Sequence, residues 1–162
     1  MSDINVLIRG LESGDPSARV GSAEKLAHLG EQARPAATAL VEALATDDED
    51  LREWTVGALE GLGPPDVEDI SRLTELLKRP ELDVAYWAAT LLGRLEGRAA
   101  SAVPQLTEAL NAHAEMAVRE RAAWALGQLG HDAAAAKDDL TRAAKSPNPR
   151  LAKLAKSALE RI

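Results

Sequence analysis

Leucines recur along this chain at a fixed interval. Leu26, Leu59, Leu92, Leu126 and Leu159 are separated by 33, 33, 34 and 33 residues. They lie near the ends of five related segments: ARVGSAEKLAHLG (18–30), LREWTVGALEGLG (51–63), VAYWAATLLGRLE (84–96), VRERAAWALGQLG (118–130) and LAKLAKSALERI (151–162). A second motif alternates with the first: VLIRGL (6–11), ALVEAL (39–44), RLTELL (72–77), QLTEAL (105–110) and DLTRAA (139–144). Both motifs space apolar residues three and four apart, the pattern of a helix buried on one face. Self-similarity at such a period marks an array of stacked supersecondary units.

The pattern predicts an all-α chain of about ten antiparallel helices, an α-solenoid with a repeat of about 33 residues. One domain spans 1–162. It opens with a half-repeat helix over 3–13, continues with repeats over about 15–47, 48–80, 81–114 and 115–147, and ends in a capping helix over 149–162. Gly30, Gly63 and Gly130 stand where left-handed helix caps are expected. Pro35, Pro65 and Pro104 fall near the starts of second-motif helices, where a missing N–H costs little. Ala23, Val56, Ala89 and Ala123 form a column suited to facing the next repeat. The last helix puts Lys156 there, the polar face expected where an array ends.

Composition narrows the picture. Aromatics are only 2% of the residues, with three Trp, one Tyr and no Phe, so the core is built from Leu, Ala and Val. Net charge is −7, which argues against a phosphate-backbone binder and against nucleic acid as a partner. The charge is uneven: residues 1–81 carry 8 Lys/Arg against 17 Asp/Glu, and residues 82–162 carry 11 against 9. With no cysteine, disulfides, zinc thiolate sites and Cys nucleophiles are excluded. The acidic N-terminus lacks the apolar core of a signal peptide, and no run reaches the length of a membrane span. A cytoplasmic, monomeric protein is expected.

The pattern in DPSARVGSAEKLAHLG (15–30), the segment VRERAAWALGQLG with a helix after it, and SAVPQLTEAL (101–110) together resemble HEAT-like repeats, more narrowly the phycobilin-lyase-type HEAT repeats. The resemblance covers nearly the whole chain. It implies that Arg19, Arg52 and Arg119 brace the acidic residues four positions earlier, Asp15, Asp48 and Glu115. Repeat three departs from the pattern, with Ala85 at the arginine position and Glu96 at the glycine position. Repeat two departs with Pro64-Pro65. Deoxyhypusine hydroxylases, which also resemble this fold, carry His-Glu metal motifs. His28, His113 and His131 form none here.

No phosphate loop, no Gly-x-Ser-x-Gly and no zinc spacing occurs. The DDED run at 47–50 reads as helix N-terminal charge rather than a cation site. No enzyme activity, cofactor or metal is expected. On a helical wheel at about 100° per residue, Leu51, Thr55, Ala58, Leu59 and Leu62 share a core arc, and Trp54 lies at its edge. The equivalent stripe holds Tyr86, Trp87, Thr90 and Arg94 in repeat three. In repeat four it holds Glu120, Arg121, Trp124 and Gln128. All four aromatics therefore sit on first-motif helices. In the resembling family this stripe lines a surface for partners, and Trp, Tyr and Arg are the residues enriched at interface hot spots.

The expected function is a non-enzymatic scaffold that binds a protein or peptide. Trp54, Tyr86, Trp87 and Trp124 are the expected anchors, Arg94, Arg121, Glu53 and Glu120 orient the partner, and Thr90 and Gln128 lie on the same surface. The alternative is a phycobilin-lyase-like subunit or a chaperone for a tetrapyrrole-bearing protein.

Overall fold

The structure is a computed structural model that describes residues 3–162. Ten α-helices run through those residues: α1 (Ile4–Glu12), α2 (Pro16–Leu29), α3 (Ala37–Ala43), α4 (Glu49–Gly61), α5 (Ile70–Leu76), α6 (Leu82–Arg94), α7 (Val103–Ala112), α8 (Met116–Leu129), α9 (Lys137–Ala143) and α10 (Pro149–Arg161). Each coincides with one predicted motif. No strand is present among the described residues.

The chain divides by internal packing into two units, one ending at Asp69 and one beginning at Ile70. In the first unit α2 packs against α1 and α4, and α3 against α1 and α4. In the second, α8 lies between α6 and α10 and against its own pair member α7, α5 packs on α6, and α9 on α7 and α10. First-motif helices thus stack on first-motif helices, the α-solenoid arrangement. The periodic leucines carry the core: Leu26, Leu40 and Leu59 in the first unit, and Leu73, Leu92, Leu106, Leu126 and Leu140 in the second, are fully buried. Each such side chain contributes roughly 1.5–3 kcal/mol relative to exposure.

Three connections contain an element that the helical periodicity did not predict. Gly30–Ala36, Glu96–Ala102 and Gly130–Ala136 are 3₁₀ segments. Their buried residues are Ala33 and Ala36, Ala99 and Ala102, and Ala133 and Ala136. A spacing of three aligns side chains on one face of a 3₁₀ helix, and alanine is small enough to let that tight turn lie on the core. The Pro64-Pro65 connection instead keeps only Val67–Asp69 in this form.

The turn into each connection needs a positive φ. Gly30, Gly63 and Gly130 have φ of 57°, 76° and 62°. Glu96 occupies the same position in repeat three with φ of 53°, and is the only non-glycine with positive φ among the described residues. A side chain there carries backbone strain.

Entry into first-motif helices follows its own rule. Asp15, Asp48 and Asn148 cap α2, α4 and α10 through their side-chain oxygens. Two residues earlier, Ser13, Thr46 and Ser146 accept a hydrogen bond from the N–H of the capping residue, each at 3.1 Å. The arginines then close the turn from the other side. Arg19 donates to the Leu11 carbonyl at 2.9 Å, Arg52 to Thr46 O at 2.6 Å and Arg119 to His113 O at 2.5 Å. These acceptors are main-chain oxygens at or just past the end of the preceding helix, and for Arg19 and Arg119 they stand in place of the carboxylates that the resemblance implied. Those carbonyls lack an intrahelical partner and lie closer to the guanidinium's reach.

Repeat three has no such arginine, and His113 takes over part of its work. Its Nδ1 accepts from Glu115 N at 3.1 Å, as the Ser and Thr hydroxyls do elsewhere. That assigns the proton to Nε2, which lies 3.0 Å from the Arg79 carbonyl, the acceptor left by Ala85. Arg79 itself forks onto Glu81 at 2.7 and 3.1 Å and holds that carboxyl below its usual range. The stabilisation from that pair is present at neutral pH and is lost as acid titrates Glu81 through its lowered value.

Two outcomes follow. Glu96→Gly relieves more strain than it adds chain entropy and raises stability by about 1 kcal/mol. A urea midpoint at or below wild type contradicts the strain. His113→Ala leaves two main-chain groups unpaired and lowers stability by about 1–2 kcal/mol, read from the same titration.

Candidate functional site

The Leu and Ala columns leave one stripe of each first-motif helix without core duty, and the aromatics lie along it. Their environments differ between the two units.

In the second unit, α6 supplies Tyr86, Trp87, Thr90 and Arg94. The Tyr86 and Trp87 rings meet edge to face at 6.2 Å, and the Arg94 guanidinium lies 5.5 Å from the Trp87 ring centre. Trp87 is covered by these neighbours and is only 8% exposed. Thr90 is buried too, its hydroxyl donating back to the Tyr86 carbonyl at 2.8 Å. Both were expected to touch a partner. What they supply instead is support beneath Tyr86.

From α8, Arg121 reaches across to α6. Its guanidinium lies 4.5 Å from the Tyr86 ring and 4.7 Å from the Trp124 ring, and it donates to the Tyr86 hydroxyl. A cation between two rings is held by the negative faces of both. Trp124 sits over Gly93, where an added Cβ would lie 2.4 Å from its ring. One side of this tryptophan is therefore packed on bare backbone, and the residue stays half-buried. Tyr86, Ala117, Glu120, Arg121, Trp124 and Leu154 line a small recess together with Arg150. Glu120 pairs with Arg150 of α10 at 3.2 Å, which orients it within the protein. Gln128 lies half-buried further along α8.

In the first unit, Trp54 occupies the repeat position of Trp87 but is only half-buried. The sequence explains the difference. Where repeat three places Tyr86 and Arg94 over the ring, repeat two has Glu53 and Gly61. Among the described residues the one aromatic neighbour of Trp54 is His28 of α2, at 5.7 Å and tilted by 52°. Ala27 and His28 of α2, with Glu49, Arg52, Glu53, Trp54, Val56, Gly57 and Glu60 of α4, line an open groove. His28 and Arg150 were not singled out from sequence. His28 shares the repeat column of Gly61, Arg94 and Gln128 and could have been found there, whereas Arg150 lies off that stripe and only helix stacking brings it close.

A further concavity of the second unit, between Lys78, Pro80, Gln105, Glu108 and His113, contains none of the predicted residues. Among the described residues no group of three or more His, Asp or Glu is arranged to hold a metal ion, and no helix is long and apolar enough to cross a membrane.

Gly93→Ala is expected to displace the Trp124 ring. The predicted loss is about 1–3 kcal/mol, with a shifted tryptophan emission maximum. Wild-type stability and emission would show that Trp124 is not seated on this backbone.

Comparison with known proteins places this architecture. A model of HEAT repeats matches residues 70–160. No curated protein matches the chain. Among solved structures, an archaeal HEAT-like repeats protein from Thermococcus onnurineus aligns with a TM-score of 0.65 at 15% identity, over 98% of this chain and 70% of that one. The complex of CpcE and CpcF of phycocyanin lyase from Nostoc sp. aligns at 0.66 and 24%, over 99% and 65%. A designed armadillo repeat protein in complex with the peptide (KR)4 aligns at 0.62 and 18%, over 97% and 80%. At these identities the shared property is the fold.

Proposed function

We propose that this chain, which belongs to the HEAT-repeat family, is a non-enzymatic scaffold that binds a protein or peptide on its first-motif helices. The observation that carries this reading is the placement of the aromatics. All four lie on first-motif helices, and Trp54, Tyr86 and Trp124 are only half-buried while the Leu and Ala columns are buried. Large amphipathic rings beside charged groups provide contact area with little ordering cost, because the helices beneath them are already fixed. Arg121, held between two rings, presents a cation of defined position.

Partners bound by similar folds agree with this reading: one designed relative is in complex with a peptide, and CpcE and CpcF are in complex together.

The test is selection from a random peptide library on immobilised full-length protein. Selected peptides are then measured against Trp54→Ala and against Tyr86→Ala/Arg121→Gln, each first confirmed folded by circular dichroism. Specific binders weakened at least tenfold by one of these variants are expected. Binders indifferent to both contradict the reading. Titration with a linear tetrapyrrole addresses the phycobilin-lyase-like alternative: a saturable change in bilin absorbance, with no peptide selected, favours it.

A further inference from the structure

Beside Glu49, which suits the first turn of α4, the groove around Trp54 carries carboxylates at Glu53 and Glu60 that α4 does not need for its own stability. Glu49, Glu53, Gly57 and Glu60 are four, four and three residues apart and so share one helix face. All three glutamates are exposed, and none belongs to a salt bridge among the described residues. Glu49 and Glu53 form a like-charge i,i+4 pair, which weakens a helix. Glu60 lies in the last turn, which contains no basic residue, where the negative end of the helix dipole disfavours a carboxylate. Arg52 also lines the groove, but its Nη2 is committed to the Thr46 carbonyl. The surrounding field has the same sign. Residues 1–69 hold 5 Lys/Arg against 15 Asp/Glu, whereas residues 70–162 hold 14 against 11.

The floor and wall of the groove suit a long side chain. At Gly57 an added Cβ would meet only the Ala27 methyl, at 3.9 Å, so the groove is open there for want of a side chain. Trp54 beside it is half-buried and lines the groove. A ring face next to unpaired carboxylates recognises a cation on an apolar stem. The stem and charge lie over the ring, and the carboxylates take the N–H donors.

We infer that this groove binds a Lys/Arg-rich peptide segment of a partner protein, one cationic side chain lying over Trp54 and paired with Glu53 and Glu60. The inference rests on the partner-binding reading above and names the partner's chemistry at one site.

The experiment uses full-length protein and fluorescein-labelled octapeptides of alternating Lys-Arg, alternating Asp-Glu and alternating Gly-Ser. Fluorescence polarisation gives the affinities at low and at physiological salt. The Lys-Arg peptide is expected to bind saturably and the other two not to bind. Glu53→Gln/Glu60→Gln, two surface changes that leave the core untouched, is expected to weaken binding at least fivefold, and Trp54→Ala likewise. A charge-matched control, Glu12→Gln/Glu31→Gln, alters residues outside the groove and is expected to change affinity less than twofold.

Absence of binding by the Lys-Arg peptide overturns the inference. So does equal weakening by the groove and control variants, which means diffuse attraction to an acidic surface. The library selection separates the two levels. If it yields non-basic binders that depend on Tyr86 and Arg121, the scaffold reading stands and this site assignment fails.

Discussion

A helix pair of this length cannot bury its own apolar face, and everything else in the structure follows from that shortage. The second face must come from the next pair, so residues at stacking positions have to be interchangeable from repeat to repeat. Leucine at the 33-residue columns and alanine between them meet this condition. They are buried in both units, and at those columns the chain varies least. The absence of Phe belongs to the same constraint, because one ring in a column would change the spacing of a single step.

The stacking constraint also governs the turns. They draw on a shared set of devices: a positive-φ residue leaving α2, α4, α6 and α8, a short side-chain cap entering α2, α4 and α10, and an arginine on the carbonyls left open before α2, α4 and α8. Repeat three lacks both the glycine and the arginine, yet keeps the geometry. Glu96 tolerates the strained φ, and His113 reaches back from the following turn to the Arg79 carbonyl. A loss at one repeat is thus offset by its neighbour.

Much of this was legible in the sequence, for identifiable reasons. Ten helices, their alternation and the glycine positions follow from period and punctuation, which are local signals. The departures at Ala85 and Glu96 were visible as breaks in a column. The role of His113 was not, since it requires knowing which carbonyl Ala85 leaves open. The partners of Arg19 and Arg119 were misread because a carboxylate four residues back and a carbonyl six to eight residues back leave the same sequence signature. The 3₁₀ connectors were missed because their alanine spacing of three also fits an α-helix. The candidate site was half legible. Column position correctly gave the stripe, but Trp54 and Trp87 share a column and differ in burial. That difference depends on Gly61 standing where Arg94 stands one repeat later.

The central claim is a division of labour, in which the columns hold the array together and the stripe is free to present side chains. Urea denaturation of Leu59→Ala and Trp54→Ala, neighbours on α4, tests it most directly. The account predicts a loss of about 2–5 kcal/mol for Leu59→Ala and less than half of that for Trp54→Ala, although tryptophan is the larger side chain. An equal or greater loss for Trp54→Ala would contradict the account and return the aromatic stripe to the core.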